Sequence, residues 1–207
     1  MRIPVLMVTA IIFTVWLKYE IRKSDQHSKS THDDFWNAEK NANLTRSKNI
    51  SNLSYITIPL DQIPMSDRDD DTLNSYRDII RDLSSQKILN LTGLSNTELK
   101  LQYGAANLNF LSTCDNNYTR MVSMLQKWAE RLYSQNYICD AASILEFAVS
   151  CKTDVRHTYL LLATIYGKQN TPEKIDSLIQ TIPDTKVRAK TDLLTQLNEI
   201  KSTHTMP

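Results

Sequence analysis

YTRMVSMLQKWAERLYSQNYICDAASILEFAVSCKTDVRHTYLLLATIYGKQNTPEKIDSLIQTI, residues 118–182, decides the fold, because its apolar and small positions recur at intervals of 34. Leu125 returns as Tyr159, Trp128 as Leu162, Ala129 as Ala163, Leu132 as Tyr166, Asn136 as Asn170 and Leu145 as Ile179. Each unit reads as two short amphipathic helices around a polar turn. One such hairpin cannot hide its apolar side until a neighbour stacks on it, so the stack is the core. The pattern predicts helices over about 118–134, 138–150, 155–167 and 172–182, with Gln135 and Asn136 in the first turn. Pro172 stands at a helix start, where a missing N–H is harmless.

Working outward toward the C-terminus, Val187, Thr191, Leu194, Leu197 and Ile200 recur at three- and four-residue steps. They predict a closing helix over 185–200, apolar toward the stack, with 202–207 frayed. Repeats and closing helix together make 118–201.

Upstream, 32–117 forms the N-terminal helical part of the same domain. Asp33 or Asp34 can cap a helix on which Trp36 is the candidate for inward packing. Ile50–Pro59 is β-branched but too isolated for a sheet, so an extended strap is expected. MSDRDDD, residues 65–71, lacks the glycine and glutamate of a calcium loop and reads as a solvated turn leading into a helix over 72–83. On that helix Tyr76, Ile79, Ile80 and Leu83 form the inward stripe. A further helix, Thr97–Tyr103, is capped by Ser95 or Asn96 and stopped by Gly104. Gly104, Ala105 and Ala106 suit close backbone approach in tight helix packing; the alternative is a spot that presents Asn107 and Asn109 to a ligand.

At the N-terminus Ile3–Leu17 carries no charge and is flanked by Arg2 on one side and Lys18, Arg22 and Lys23 on the other. Residues 1–23 read as a membrane anchor, a single transmembrane helix through 3–19, followed by a polar spacer over 24–31. Bulky Phe13–Tyr19 offers no small-residue cleavage site, which favours an anchor over a removed signal peptide; a membrane-surface helix is the remaining alternative. Lys18, Arg22, Lys23 and Lys29 outweigh Arg2, so the large domain is expected on the cytoplasmic side of a single-pass protein.

Lys plus Arg number 24 against 23 Asp plus Glu, a net charge of +1 that gives no reason to expect nucleic acid as the partner. Cys114, Cys139 and Cys151 are odd in number and form no C-x-x-C pair, which excludes a complete disulfide framework and a cysteine metal site.

The 34-residue period and the residues in it resemble the tetratricopeptide repeat family. Ala129 and Leu132 stand at its small and large first-helix positions, and Ala141, Leu145 and Ala148 at those of the second helix. Ala163 and Tyr166 repeat the first set, while Ile175, Ile179 and Ile182 replace the second. The resemblance implies an all-α superhelix of stacked hairpins, preceded here by the anchor, that presents a curved surface to a protein or peptide and has no common catalytic residue. Candidate partner-binding residues are Asn117, Arg120, Ser123, Met124, Lys127, Arg131, Thr158 and Leu161, chosen as first-helix positions facing away from the second helix. The expected function is a membrane-tethered interaction or scaffold module with no cofactor, metal or evident small-molecule substrate, and no catalytic residues. The alternatives are an accessory subunit of a membrane assembly, or a hydrolase or transferase built on Cys151 and His157 with Asp154.

Overall fold

The order of elements follows the helical pattern closely. The computed structural model describes the backbone of residues 3–205 and the side chains of residues 9, 13–22 and 34–203. Over these residues there are eight α-helices, two 3₁₀ turns and no strand. The helices are α1 (Ile3–Asn43), α2 (Asp71–Ser84), α3 (Asn96–Tyr103), α4 (Leu108–Ser134), α5 (Ile138–Ser150), α6 (Arg156–Lys168), α7 (Pro172–Thr181) and α8 (Lys190–Thr205). The chain divides into two units, Met1–Asn49 with Ser95–Leu108, and Ile50–Leu94 with Asn109–Pro207.

The second unit holds the large core. Leu125, Trp128, Ala129 and Leu132 of α4 are buried, and so are Tyr159, Leu162, Ala163 and Tyr166, each 34 residues later on α6. Helix α6 packs against α5, α7 and α8. The helix ends explain how the chain turns. Tyr137 N–H donates to the Leu132 carbonyl at 2.9 Å and Asn136 N–H to Tyr133 at 3.0 Å; Thr171 and Asn170 repeat both bonds to Tyr166 and Gly167 at 3.0 Å. Helix α5 closes likewise, with Thr153 N–H on Ala148 at 3.3 Å and Lys152 N–H on Val149 at 2.8 Å. Each is a six-to-one bond around a five-to-two bond, which requires a left-handed residue between them. Asn136, Lys152 and Asn170 supply it with φ of 66°, 56° and 54°.

Helix α4 starts well before the expected 118, because Leu111 and Cys114 continue its buried face at steps of three and four. The closing helix is displaced the other way. Residues 185–189 form a loop with Thr185 and Val187 buried, and α8 runs from Lys190 to Thr205, so the stretch from 202 continues the helix up to 205. Its inward residues are Leu193 and Leu197; Thr191 is exposed and Leu194 only half-buried.

The acidic turn before α2 is exposed at Asp67, Asp69 and Asp71, but through Asp70, Arg68 and Arg77 it is also an ion-paired clamp. Asp70 caps α2, accepting from Thr72 N–H at 2.9 Å and Leu73 N–H at 3.1 Å, and also meets the Arg131 guanidinium at 2.8 Å and the Gln135 amide. These donors hold the Asp70 carboxyl at about 2, with the Arg131 hydrogen bond as the largest cause. Asp67 and Asp78 hold Arg77, which is buried in the α2 stripe. Arg68 pairs with Asp140 and lies 4.0 Å over the Tyr137 ring. The strap follows as extended, irregular backbone, with Ile58 and Ile63 buried and Ile56 N–H bonded to the Ile88 carbonyl at 2.9 Å.

In the first unit α1 packs on α3. Glu39 on α1 accepts from Thr97 at 2.8 Å and pairs with Lys100. Ser95 and Glu98 form a reciprocal capping box at the start of α3, and Gly104 ends it. Gly104 has φ 92°, and a Cβ there would sit 2.5 Å from Ser47 Cα and 2.6 Å from the Arg46 carbonyl oxygen. Asn107 ties the same crossing by donating to the Lys48 carbonyl at 2.8 Å and the Tyr103 carbonyl at 2.7 Å.

Two expectations about α1 are corrected. It is one helix of 41 residues, so the stretch 24–31 is helical and no new cap opens at Asp33 or Asp34. Phe35 and Trp36 meet edge to face at 5.6 Å but are 54% and 56% exposed; among the described residues of this helix it is Ala42 that is buried, not Trp36. Among the described residues no helix is long and apolar enough to cross a membrane. The uncharged run Ile3–Leu17 reaches about 23 Å at 1.5 Å per residue, short of the roughly 30 Å of hydrocarbon, and Lys18 and Glu20 follow it at once. The side chains of Arg2, Lys23 and Lys29, which carried the expected orientation, lie outside the described residues.

Candidate functional site

Helix α5 buries one side and keeps a mixed polar and apolar outer face. Ala141, Ile144, Leu145 and Ala148 are buried, which leaves Ser143, Glu146, Phe147, Val149 and Ser150 toward the outside. The strap lies along one flank of that outer face and α7 along the other. Four depressions of about 200, 310, 320 and 480 Å³ line up here. They share walls: Glu146 belongs to the first two, Ser150 to the last three, and Lys152 with Asp184 to the last two. Together they make a trough bordered throughout by α5, with Phe147 on its strap flank and Val149 on its α7 flank.

Its two ends differ in charge. At the Glu146 end the carboxylate accepts from the Tyr166 hydroxyl at 2.7 Å and pairs with Lys174 at 3.3 Å, while the Lys174 ammonium lies 4.9 Å from the Tyr166 ring centre. Burial first, and then the Glu146 carboxylate, push the Tyr166 hydroxyl well above the usual range. This end is internally satisfied. The other end carries Lys152, Lys186 and Asp184 around the largest depression, with Ser54, Thr92 and Ser150 hydroxyls on its walls.

Below that end the floor is fixed by a polar lock. Asn90 Nδ2 donates to the Tyr118 hydroxyl at 2.8 Å and to the Cys151 carbonyl at 3.2 Å, and the Tyr118 hydroxyl donates to the Cys151 and Lys152 carbonyls at 3.2 Å. Asp115 accepts from Leu91 N–H at 3.0 Å. The loop 87–94 is thereby held to α4 and to the end of α5, and the Lys152 backbone is fixed from beneath.

The residues expected to bind a partner do not meet at this trough. Thr158 and Leu161 are buried, Thr158 donating to Gln126 Oε1 at 2.6 Å. Helix α4 meets Thr158 through Gln126, and α6 packs besides against α5, α7 and α8, so the face read as open is covered. Asn117 donates to the Lys87 carbonyl at 3.0 Å, and Arg131 serves Asp70. Arg120 and Lys127 are exposed on α4, and Ser123 and Met124 half-buried there. The pairing of Cys151 with His157 is not formed. Cys151 is buried and its thiol is pushed up to about 11 by burial, while His157 Nε2 faces Glu130 at 3.3 Å. Among the described residues no three His, Cys, Asp or Glu side chains gather as a metal site.

The signal that could have found the trough was present in α5. Once 141, 144, 145 and 148 are assigned inward, 143, 146, 147 and 150 must face out. Compared with protein-family models, curated proteins and solved structures, the chain matches none.

Proposed function

We propose that this chain is a membrane-associated interaction scaffold of tetratricopeptide-like build, which holds a protein or peptide along α5 and has no catalytic activity of its own. The observation that carries the reading is the trough itself: an elongated surface with a packed floor, flanked by an extended strap and a helix. The matching helix ends at Asn136 and Asn170, 34 residues apart, support the repeat resemblance.

Membrane association is supported by α1. Phe13, Val15, Trp16, Leu17, Tyr19 and Ile21 are 41–65% exposed, and at 100° per residue they spread over about two thirds of the helix circumference, leaving one sector to Thr14, Lys18 and Arg22. So broad an apolar surface with a cationic sector is stable where most of its surroundings are apolar. The cationic flank of Lys18 and Arg22 supports, in this reading, a large domain on the cytoplasmic side.

A photo-crosslinking amino acid placed at Phe147 or Gln180 in the full chain, in its native membranes, tests the scaffold. A discrete crosslinked partner from these positions and none from Lys127 is the expected result; no discrete partner from either trough position overturns the reading. Flotation with liposomes tests the membrane part. The Phe13→Lys, Trp16→Lys chain should leave the vesicle fraction, and equal flotation of the two chains would overturn that part.

A further inference from the structure

The end of the trough at Lys152 holds a local contradiction. Left-handed backbone at a helix end is the place for glycine, or for asparagine as at positions 136 and 170. Yet α5 ends on a lysine with φ 56°, exposed at the mouth of the largest depression. Strain held by a long cationic side chain at the rim of a cavity points to use of that side chain.

A second cation faces it. Lys186 lines the same depression, with its stem placed beside Gly93, where an added Cβ would be 3.8 Å from Lys186 Cδ. Asp184 stands at the same mouth, but neither lysine forms an ion pair among the described residues. The other lysine of the trough, Lys174, is engaged by Glu146. The available positive charge is thus concentrated at one end, with the Ser150 and Thr92 hydroxyls beside it.

We propose that the trough receives an extended acidic segment of a partner protein, with a carboxylate side chain seated between Lys152 and Lys186. This deepens, and rests on, the scaffold reading. Helix α5 is 13 residues, about 20 Å at 1.5 Å per residue, which matches about six extended residues at 3.3 Å each. Successive side chains of such a segment alternate, so an acidic residue at the lysines puts the residue two positions away over the half-buried Val149, which shares a depression with Lys152 on the α7 flank; Phe147 opens toward the strap on the other flank. The recognised pattern is one acidic residue with an apolar one two positions away.

Random 12-residue peptides displayed on phage, selected on the full chain in nanodiscs, supply the probe, and the enriched peptides are then measured by fluorescence polarisation. Enrichment of Asp or Glu with an apolar residue two positions away is expected. The chain carrying Lys152→Gly and Lys186→Ser should bind such a peptide at least tenfold more weakly, and Lys152→Arg should retain binding. Raising salt from about 50 to 300 mM should weaken the original chain far more than the double variant. Because glycine suits the backbone at 152, the variant's thermal midpoint should not fall, which separates lost binding from lost folding. No enriched peptide, enriched peptides lacking acidic residues, or equal binding by the double variant would each overturn the proposal. So would lysine-dependent binding only to vesicles containing phosphatidylserine. A partner crosslinked from Phe147 alongside any of these results would keep the scaffold and remove the acidic segment.

Discussion

The two units end their helices by different chemistry. In the first, α3 stops at Gly104 because another stretch of backbone, Arg46–Ser47, occupies the space a side chain would need. In the second, α4, α5 and α6 stop at left-handed residues that keep their side chains, Asn136, Lys152 and Asn170, all exposed. A glycine demanded by a close crossing is a packing constraint. A non-glycine residue at an open helix end is only a backbone penalty, and it leaves the side chain free for other uses.

The contrast is broken most severely at Gly104. Gly104→Ala should destabilise the first unit by about 3 kcal/mol, since backbone cannot move aside as a flexible side chain does. Hydrogen exchange should show lost protection in 95–108 and 44–48 while 118–182 is unchanged; equal loss in both would deny the units their independence. Next in size is a core change that no helix end can relieve. Thr158→Val leaves the buried Gln126 oxygen without its 2.6 Å donor and should cost about 1–2 kcal/mol in denaturant unfolding.

Glycine in the second unit should act in the opposite direction to alanine in the first. Lys152→Gly is expected to stabilise by about 1 kcal/mol, and Asn136→Gly or Asn170→Gly by less, because asparagine already tolerates the left-handed region. A thermal midpoint lowered by Lys152→Gly would show that the lysine side chain supports the fold. The smallest effect belongs to acid. The Asp70 carboxyl is held at about 2 when folded, against an ordinary 3.8 when free, so its contribution is complete above the free value and is lost as pH falls through the folded one. Asp70→Asn keeps a helix cap but should flatten that part of the acid unfolding profile; an unchanged profile would remove the Arg131 pairing from the stability of this clamp.

Much of the fold was legible because its signals are local. The turn at Asn136, the proline opening α7, the Ser95–Glu98 cap and the stop at Gly104 each depend on a few neighbouring residues. The strap needed only its β-branched run and Pro59. What escaped is long-range or depends on which side is covered. Arg68 and Asp140, or Asp70 and Arg131, lie far apart in sequence, so the acidic turn looked solvated. Trp36 was read inward on aromatic character alone, yet it is exposed. Thr158 and Leu161 were placed on an open face because no local pattern reveals that α6 is covered by α4 as well as by α5, α7 and α8. The trough was half-legible: the outer positions of α5 follow from its inner ones, but the strap and α7 as walls do not.

The lock at Asn90 carries a consequence for where such a chain can mature. Asn90-Leu-Thr92 and Asn117-Tyr-Thr119 both match the acceptor tripeptide for N-linked sugar. Their amide nitrogens are committed, Asn90 to the buried Tyr118 hydroxyl and Asn117 to the Lys87 carbonyl. A glycan attached to Asn90 before folding would hold loop 87–94 away from α4 and leave the Tyr118 hydroxyl without that donor. The same polar contacts that fix the floor of the trough therefore tie correct folding to a compartment without the transferase, or to a chain that closes this loop before the enzyme reaches it.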